Sequence, residues 1–278
     1  MKFDEIDWIA VWNATVPDTS VLKYRRENDP VKFWNDRAPQ FNHDAMQERV
    51  EDVDEILQIT QISETTTIID VGAGTGRFSI PLAKLAHHVS AIDPSTGMLK
   101  FLEKNAAEAK IQGKIRVINR KWEDLTIGTD LPPHDIVIAP YVMAHLDIAR
   151  SLPLINAAAV KWVFLFTWVV RHSEDFIQLW QTVHGEKYQM PPEYLILLSR
   201  LYQLGIHANL KISPRLWWGG YTTAEAAFTD YKRRINPPDD SYDDVIWHFV
   251  REKGVGDENG VKFPEGGLSA MIWWKKGN

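Results

Sequence analysis

The residues best equipped for chemistry stand in one short run, "IIDVGAGTGRFSI", residues 68–80. Gly72, Gly74 and Gly76 alternate directly after a β-branched segment that closes on Asp70. Glycines at such spacing let the main chain turn sharply and let a ligand approach its N–H groups where a Cβ would stand in the way. The dinucleotide pattern G-x-G-x-x-G is not met. The third glycine falls one place early, and Arg77 occupies the position that pattern reserves for glycine, which weakens a pyrophosphate site. A second acid, Asp93, closes the apolar run "VSAID". Its two carboxylate oxygens can accept from both hydroxyls of a ribose. Further along, "VIAPYVMAHL" offers Ala139, Pro140, Tyr141 and His145, and His172 follows the apolar "KWVFLFTWVV". Tyr141, His145 and His172 are the candidate proton acceptors, or else packed side chains.

These groups need elements to hold them. Short β-branched or apolar runs at 65–71, 87–93, 114–120, 135–139 and 161–168 read as strands. Between them, apolar residues recur at helical spacing in 76–86 and in 95–111, where Ser95 or Thr96 caps. Residues 144–159 read as a helix interrupted near Pro153, and 172–205 as helical with a break at Met190-Pro191-Pro192. "HANLKIS" (207–213) is a further strand, "TTAEAAFTDYKRRI" and "YDDVIWHFVREK" are helices, and "GLSAMIWWKK" is a closing strand. Residues 1–40 read as short helices, and 43–62 as an amphipathic one. Strands alternating with helices predict an α/β fold, with a mostly parallel sheet covered on both faces. Ligands then bind at the carboxyl ends of the strands, where every motif named above falls.

Composition bounds the function. The chain has 278 residues, 45% hydrophobic and 24% charged, with a net charge of −6. No basic excess is available for a phosphate backbone, so nucleic acid is not the expected partner. Cysteine is absent, which excludes thiol catalysis, disulfides and Cys-ligated metals and fits a reducing, cytoplasmic location. No H-E-x-x-H spacing or calcium loop occurs, so no metal is expected. The acidic N-terminus does not read as a signal peptide. The longest apolar stretch, 152–170, is broken by Pro153, Asn156 and Lys161, so no membrane span is expected.

The segments "IIDVGAGTGRFSIPLA", "VSAIDPSTGML" and "DIVIAPYVMAHL" resemble the first, second and fourth strand-end motifs of the class I S-adenosylmethionine-dependent methyltransferases. The methyltransferases of ubiquinone and menaquinone biosynthesis are especially similar. "FWNDRAPQF" resembles a lead-in common in that group. The likeness covers roughly residues 33–170. It implies a Rossmann-like, doubly wound sheet of seven strands with an antiparallel last strand. It also implies a helical N-terminal cap at 1–45 and a methyltransferase domain at 46–278, with a helical insertion at about 172–205.

The resemblance further implies S-adenosylmethionine as cofactor. Asp70 and the turn Gly72, Ala73, Gly74, Thr75 and Gly76 would face its methionine portion, and Asp93 its ribose. Pro94, Ser95 and Met98 would flank the adenine, with Ala139 and Pro140 beside the same crevice. The chain departs from many relatives at Lys121, where they carry an aspartate for the adenine amine. Trp122 would stack on the base or pack in the core, leaving Glu123 or Asp124 for the amine.

A sulfonium methyl is already activated, so such an enzyme mainly aligns its acceptor and excludes water. The acceptor expected here is a small molecule, apolar or aromatic, against side chains such as Trp12, Tyr24, Trp34 and Tyr188. Two other outcomes stand beside it: a non-catalytic S-adenosylmethionine-binding protein and a nicotinamide-dependent oxidoreductase. The sequence leaves the oligomeric state open.

Overall fold

The computed structural model describes residues 2–16, 20, 29–46, 51–257 and 260–277. Its centre is one sheet. The strands are β1 (Thr67–Val71), β2 (His88–Ile92), β3 (Ile115–Ile118), β4 (His134–Pro140), β5 (Ala159–Val170), β6 (Asn209–Tyr221), β7 (Val255–Asp257) and β8 (Gly260–Lys275). Their order is β3-β2-β1-β4-β5-β8-β6, with β7 paired to β8. The first five run parallel, whereas β8 is antiparallel to both β5 and β6. This is the doubly wound, mostly parallel architecture with an antiparallel last strand. The strand order reverses between β1 and β4, and a crevice opens there at the carboxyl ends.

Alternation along the strands assigns the two cores. Ile69, Val71, Val137, Ala139, Val163, Leu165 and Ile272 face one layer of helices. Ile68, Val89, Ile136, Ile138, Phe164, Phe166 and Met271 face the other. Because both faces are covered, the strands are apolar throughout, as a buried parallel sheet requires.

The helix Trp8–Thr15 opens on Asp7, whose carboxylate accepts from the N–H groups of Ile9 and Ala10. It buries Trp12 in the first core. The helix Pro30–Met46 lies along the helix Thr96–Glu108. Within the predicted 43–62 helix the structure describes Glu51–Ile59; residues 47–50 lie outside the described residues.

Three strands run further than their sequence predicts. β5 extends to Val170, although its pairing with β4 ends at Pro140↔Phe166; beyond that point it pairs with β8 alone. β6 and β8 stay paired from Asn209↔Trp273 to Tyr221↔Val261. Each of these two strands contains a proline, Pro214 and Pro264. Pro214 is tolerated because β6 is an edge strand, and Pro264 because it lies past the last pairing of β8 with β5, at Leu268. Above the overshoot, the helices Glu174–His184, Ala224–Ile235 and Asp243–Lys253 form a further core around Phe176, Trp180, Tyr231 and Phe263. Pro153 does not interrupt its helix, which runs unbroken over Ile148–Ala158. Among the described residues, no helix is long and apolar enough to cross a membrane.

Candidate functional site

The glycine turn hangs from the end of β2: the N–H groups of Gly72 and Ala73 both donate to the Ile92 carbonyl (2.8 and 3.0 Å). Gly72 sits at φ +73°, and a Cβ there would lie 2.5 Å from Cγ2 of Val142. The loops after β1 and β4 therefore close on each other only because residue 72 lacks a side chain. Gly74 donates its N–H to Oδ2 of Asp93 (3.0 Å), and Ser95 donates its N–H to Oδ1 (2.8 Å). Asp93 thus ties the turn to the start of the next helix. Burial pushes its pKa above the usual carboxylate range, while the two N–H donors pull it back.

Ser95 caps that helix by accepting from the Met98 N–H (3.1 Å), and its hydroxyl donates to Oδ1 of Asn35 (2.8 Å). The same Asn35 oxygen accepts from the Gly97 N–H (2.7 Å). The "FWNDRAPQF" lead-in therefore reaches across to clamp the loop after β2.

Asp70 is buried beneath the turn. Its Oδ2 accepts from the Ser79 hydroxyl (2.6 Å), whereas Oδ1 has no partner among the described residues. Burial raises its pKa to about 7, with the Ser79 bond opposing and the nearby Asp93 charge adding to the rise. A buried carboxyl with a spare oxygen is suited to receive a cation.

These groups line one cavity of about 570 Å³. One end is lined by Gly72, Ala73, Gly74, Asp93, Pro94, Ser95, Met98, Trp122 and Glu123, with Asp70 below. The Trp122 ring is buried and its Nε1 has no partner among the described residues. Oε1 of Glu123 accepts from the Asp147 N–H (3.0 Å) and the Ser151 hydroxyl (3.1 Å), so this carboxylate already serves the helix Ile148–Ala158. The two orphaned polar atoms and the open glycine turn fit a nucleoside that carries an amino acid.

The other end lies above β4 and β5 and is lined by Trp34, Tyr141, His145, Thr167, Trp168, Arg171 and Glu193. The overshoot of β5 raises Thr167 and Trp168 above the end of β4. Tyr141 takes a positive φ of 56°, uncommon for a side chain of its size. Its ring stacks on Trp168 at 4.7 Å, and its hydroxyl donates to Oδ2 of Asp52 (3.1 Å). The other Asp52 oxygen pairs with Arg215. Burial and the Asp52 charge raise the Tyr141 pKa, so its phenol is a neutral donor at pH 7. His145 packs edge-on to Trp34 at 5.8 Å.

Several expected residues lie elsewhere. His172 is buried outside the cavity lining, stacked on Phe176 at 4.2 Å, and its Nδ1 faces the Arg234 guanidinium at 3.3 Å. Burial and three neighbouring arginines push its pKa well down. Tyr188 and Trp12 are buried in cores away from the cavity. Thr75 is buried and offers its carbonyl to Asn105 Nδ2 (2.9 Å). Gly76 is packed where a Cβ would meet Ile80 and Leu102, and Ala139 lies inside β4. Tyr24 lies outside the described residues.

Asn35, Asp52, Arg171 and Glu193 are not among the residues singled out from the sequence, and Arg77 stood out there only as a departure from the dinucleotide pattern. Asn35 was signalled by its motif. Asp52, Arg171 and Glu193 are brought in by tertiary contacts that carry no local pattern. No group of three or more His, Cys, Asp or Glu side chains converges among the described residues.

A family model described as a methyltransferase domain matches residues 68–160. A Haemophilus influenzae protein of uncharacterised function is 29% identical over 181 residues, covering 65% of each chain. A mitochondrial ribosomal RNA small subunit methyltransferase of Arabidopsis thaliana is 29% identical over 100 residues, 35% of this chain and 25% of that one. The match thus spans less than two thirds of either relative. A solved structure of a candidate methyltransferase from Bacillus halodurans shares the fold with TM-score 0.54 at 15% identity, covering 82% of this chain and all of that one. The glycine turn and the two strand-end acids lie inside the stretch that is similar to a methyltransferase domain, and the cofactor this likeness implies is S-adenosylmethionine.

Proposed function

We propose that the protein is a methyltransferase acting on a small-molecule acceptor with an aromatic or apolar body. One observation supports this above the rest: a single cavity joins the Asp70–glycine turn–Asp93 constellation to an aromatic wall of Tyr141 and Trp168. When bound, S-adenosylmethionine supplies an activated methyl group. The chain's own residues position it. The carboxylate of Asp70, with its spare oxygen, takes the ammonium of the methionine portion, and the N–H groups of the turn lie along that portion. Asp93 takes the ribose hydroxyls through lone pairs left after Gly74 and Ser95. Met98 and Pro94 flank the base, and Trp122 offers it a face or its free Nε1.

At the other end, Trp34, Tyr141 and Trp168 exclude water and align the acceptor. Their faces also favour a cation such as the sulfonium. Tyr141 acts there as a neutral hydrogen-bond donor backed by Asp52. Where the acceptor must lose a proton, His145 is a cavity-lining group able to take it. Residues 1–45 serve as a cap over the cofactor, a role consistent with the Asn35 clamp. The protein acts in a reducing, cytoplasmic setting, in keeping with its lack of cysteine.

Likeness to an RNA methyltransferase raises a second reading, an RNA acceptor. The net charge of −6 and the aromatic wall favour the small molecule. Incubation with methyl-labelled S-adenosylmethionine and separate pools of small metabolites and total RNA decides between them. Label in the small-molecule fraction supports the proposal. Label in RNA alone refutes it, and uptake of cofactor without any transfer points to a binding protein.

A further inference from the structure

The cavity holds two guanidinium groups whose donors are unused. Arg77, directly after the glycine turn, and Arg171, at the top of β5, both line it. Neither forms a hydrogen bond or ion pair among the described residues. A guanidinium carries five N–H donors in a planar fork, and leaving them unmatched in a partly buried site costs free energy. Both side chains are half-buried, and Nε of Arg77 is wholly so.

Arg171 is held in place by the fold. A Cβ on Gly267 would come within 2.1 Å of the Val170 carbonyl oxygen, so β8 presses against the backbone that carries Arg171. Among the described residues, the nearby acids make no hydrogen bond or ion pair with it. Glu193 accepts from the Thr167 hydroxyl, and burial pushes its pKa up, toward the neutral acid. Glu265 is committed to Arg234 (2.8 Å) and to the Tyr231 hydroxyl (3.1 Å). Burial is the main cause that lowers the Arg171 pKa and the Arg234 charge adds to it, while Tyr188, Glu193 and Glu265 oppose it.

S-adenosylmethionine brings one carboxylate. Arg77 directly follows the turn proposed to hold the methionine portion, although its charge also reaches Asp52 and Tyr141; one carboxylate at the turn matches one fork. Arg171, at the opposite end of the cavity, is left over. We infer that the methyl acceptor itself carries an acid group, a carboxylate or a phosphate ester, and that Arg171 grips it as a forked ion pair while the acceptor's body rests on Trp168 and Tyr141. The inference rests on the methyltransferase reading above and names its substrate class. Forked pairing also fixes orientation, which a lysine at the same place would not do.

The test is calorimetric titration of benzoate, phenyl phosphate, benzyl alcohol and benzylamine into protein saturated with S-adenosylhomocysteine. At least one of the two anions should bind about tenfold or more tightly than the alcohol and the amine. A preference for benzoate identifies a carboxylate acceptor, and one for phenyl phosphate identifies a phosphate ester. Arg171→Gln should weaken the preferred anion by about tenfold or more, with Arg171→Lys intermediate. Both variants should keep S-adenosylhomocysteine affinity within about twofold, which also verifies folding.

Equal binding of benzyl alcohol overturns the inference, as does saturable binding by neither anion or anion affinity unchanged in Arg171→Gln. If Arg171→Gln instead weakens S-adenosylhomocysteine, the arginine serves the cofactor and the inference fails. A short oligoribonucleotide that displaces phenyl phosphate at lower concentration overturns the small-molecule class. If Arg171→Gln does not fold, the ranking of the four probes on the unaltered protein decides. Arg171-dependent anion binding in protein that takes up no S-adenosylhomocysteine sinks the methyltransferase reading and leaves the anion site standing.

Discussion

The cofactor affinity of this protein should fall as the solution is acidified, and Asp70 should be the cause. Its carboxyl is buried under the glycine turn with one oxygen on Ser79 and the other unpartnered, and its pKa is raised to about 7. An ammonium can pair only with the ionised form. The raised pKa means that the free protein picks up a proton here as pH drops through neutrality, and that proton must leave before the ligand binds. With a pKa of about 7, roughly three quarters of the molecules are ionised at about pH 7.5 and about one in eleven at about pH 6.0. S-adenosylhomocysteine affinity should therefore drop about eightfold across that interval, while the ligand's own α-amino group, titrating near 7.7–8.0, becomes only more protonated.

Asp93 is also shifted upward by burial and adds in the same direction. Asp70→Asn keeps the shape and can keep the Ser79 bond, but it cannot ionise. It should weaken binding by about tenfold to a hundredfold at pH 7.5 and remove most of the slope. Isothermal titration of both proteins at both pH values measures this. A flat affinity in the unaltered protein, or an undiminished slope in Asp70→Asn, would refute the assignment of Asp70 to the cofactor's ammonium.

Other substitutions probe the frame around that contact. Asp93→Ala should weaken S-adenosylhomocysteine by about a hundredfold, since it removes a charged acceptor and strands the N–H groups of Gly74 and Ser95; unchanged affinity by calorimetry counts against the ribose role. Gly72→Ala forces a Cβ to within 2.5 Å of Val142 at a φ of +73°. Urea unfolding should show a loss of about 2–4 kcal/mol, from left-handed strain and overpacking together, and native stability would show that the two loops part freely. Asn35→Ala deletes the acceptor for Ser95 and Gly97. It should cost about 2 kcal/mol at about 1 kcal/mol per bond, and a loss below about 0.5 kcal/mol in the same assay would mean the clamp is cosmetic.

Much of this architecture could be read from residue order because the information is local. Buried parallel strands are short apolar runs, and "TIIDV", "HVSAI" and "HDIVIAP" fall where their composition places them. The glycine turn and Asp93 were legible because backbone geometry and a strand-end carboxylate leave marks in sequence. Ser95 as a cap was legible for the same reason.

The acceptor end was legible only in part: Trp34, Tyr141 and His145 were named from the sequence, whereas Thr167, Trp168, Arg171 and Glu193 were not. Thr167, Trp168 and Arg171 reach the cavity because β5 continues past β4, and that overshoot depends on a partner strand a hundred residues away. His172 was expected beside the chemistry because it follows β5, but the chain turns at that point and sends its ring against Phe176. Asp52 reaches Tyr141 from a helix outside the strand-end motifs, with a separation in sequence that no periodicity reveals.

The central claim is that a sulfonium nucleoside occupies the cavity at the carboxyl edge of the sheet. Co-crystallisation with S-adenosylhomocysteine tests it most directly. Density is expected for the nucleoside with its ribose within hydrogen-bond reach of Asp93 and its ammonium against Asp70. Ligand density elsewhere on the chain, or none from folded protein at saturating ligand, would contradict it.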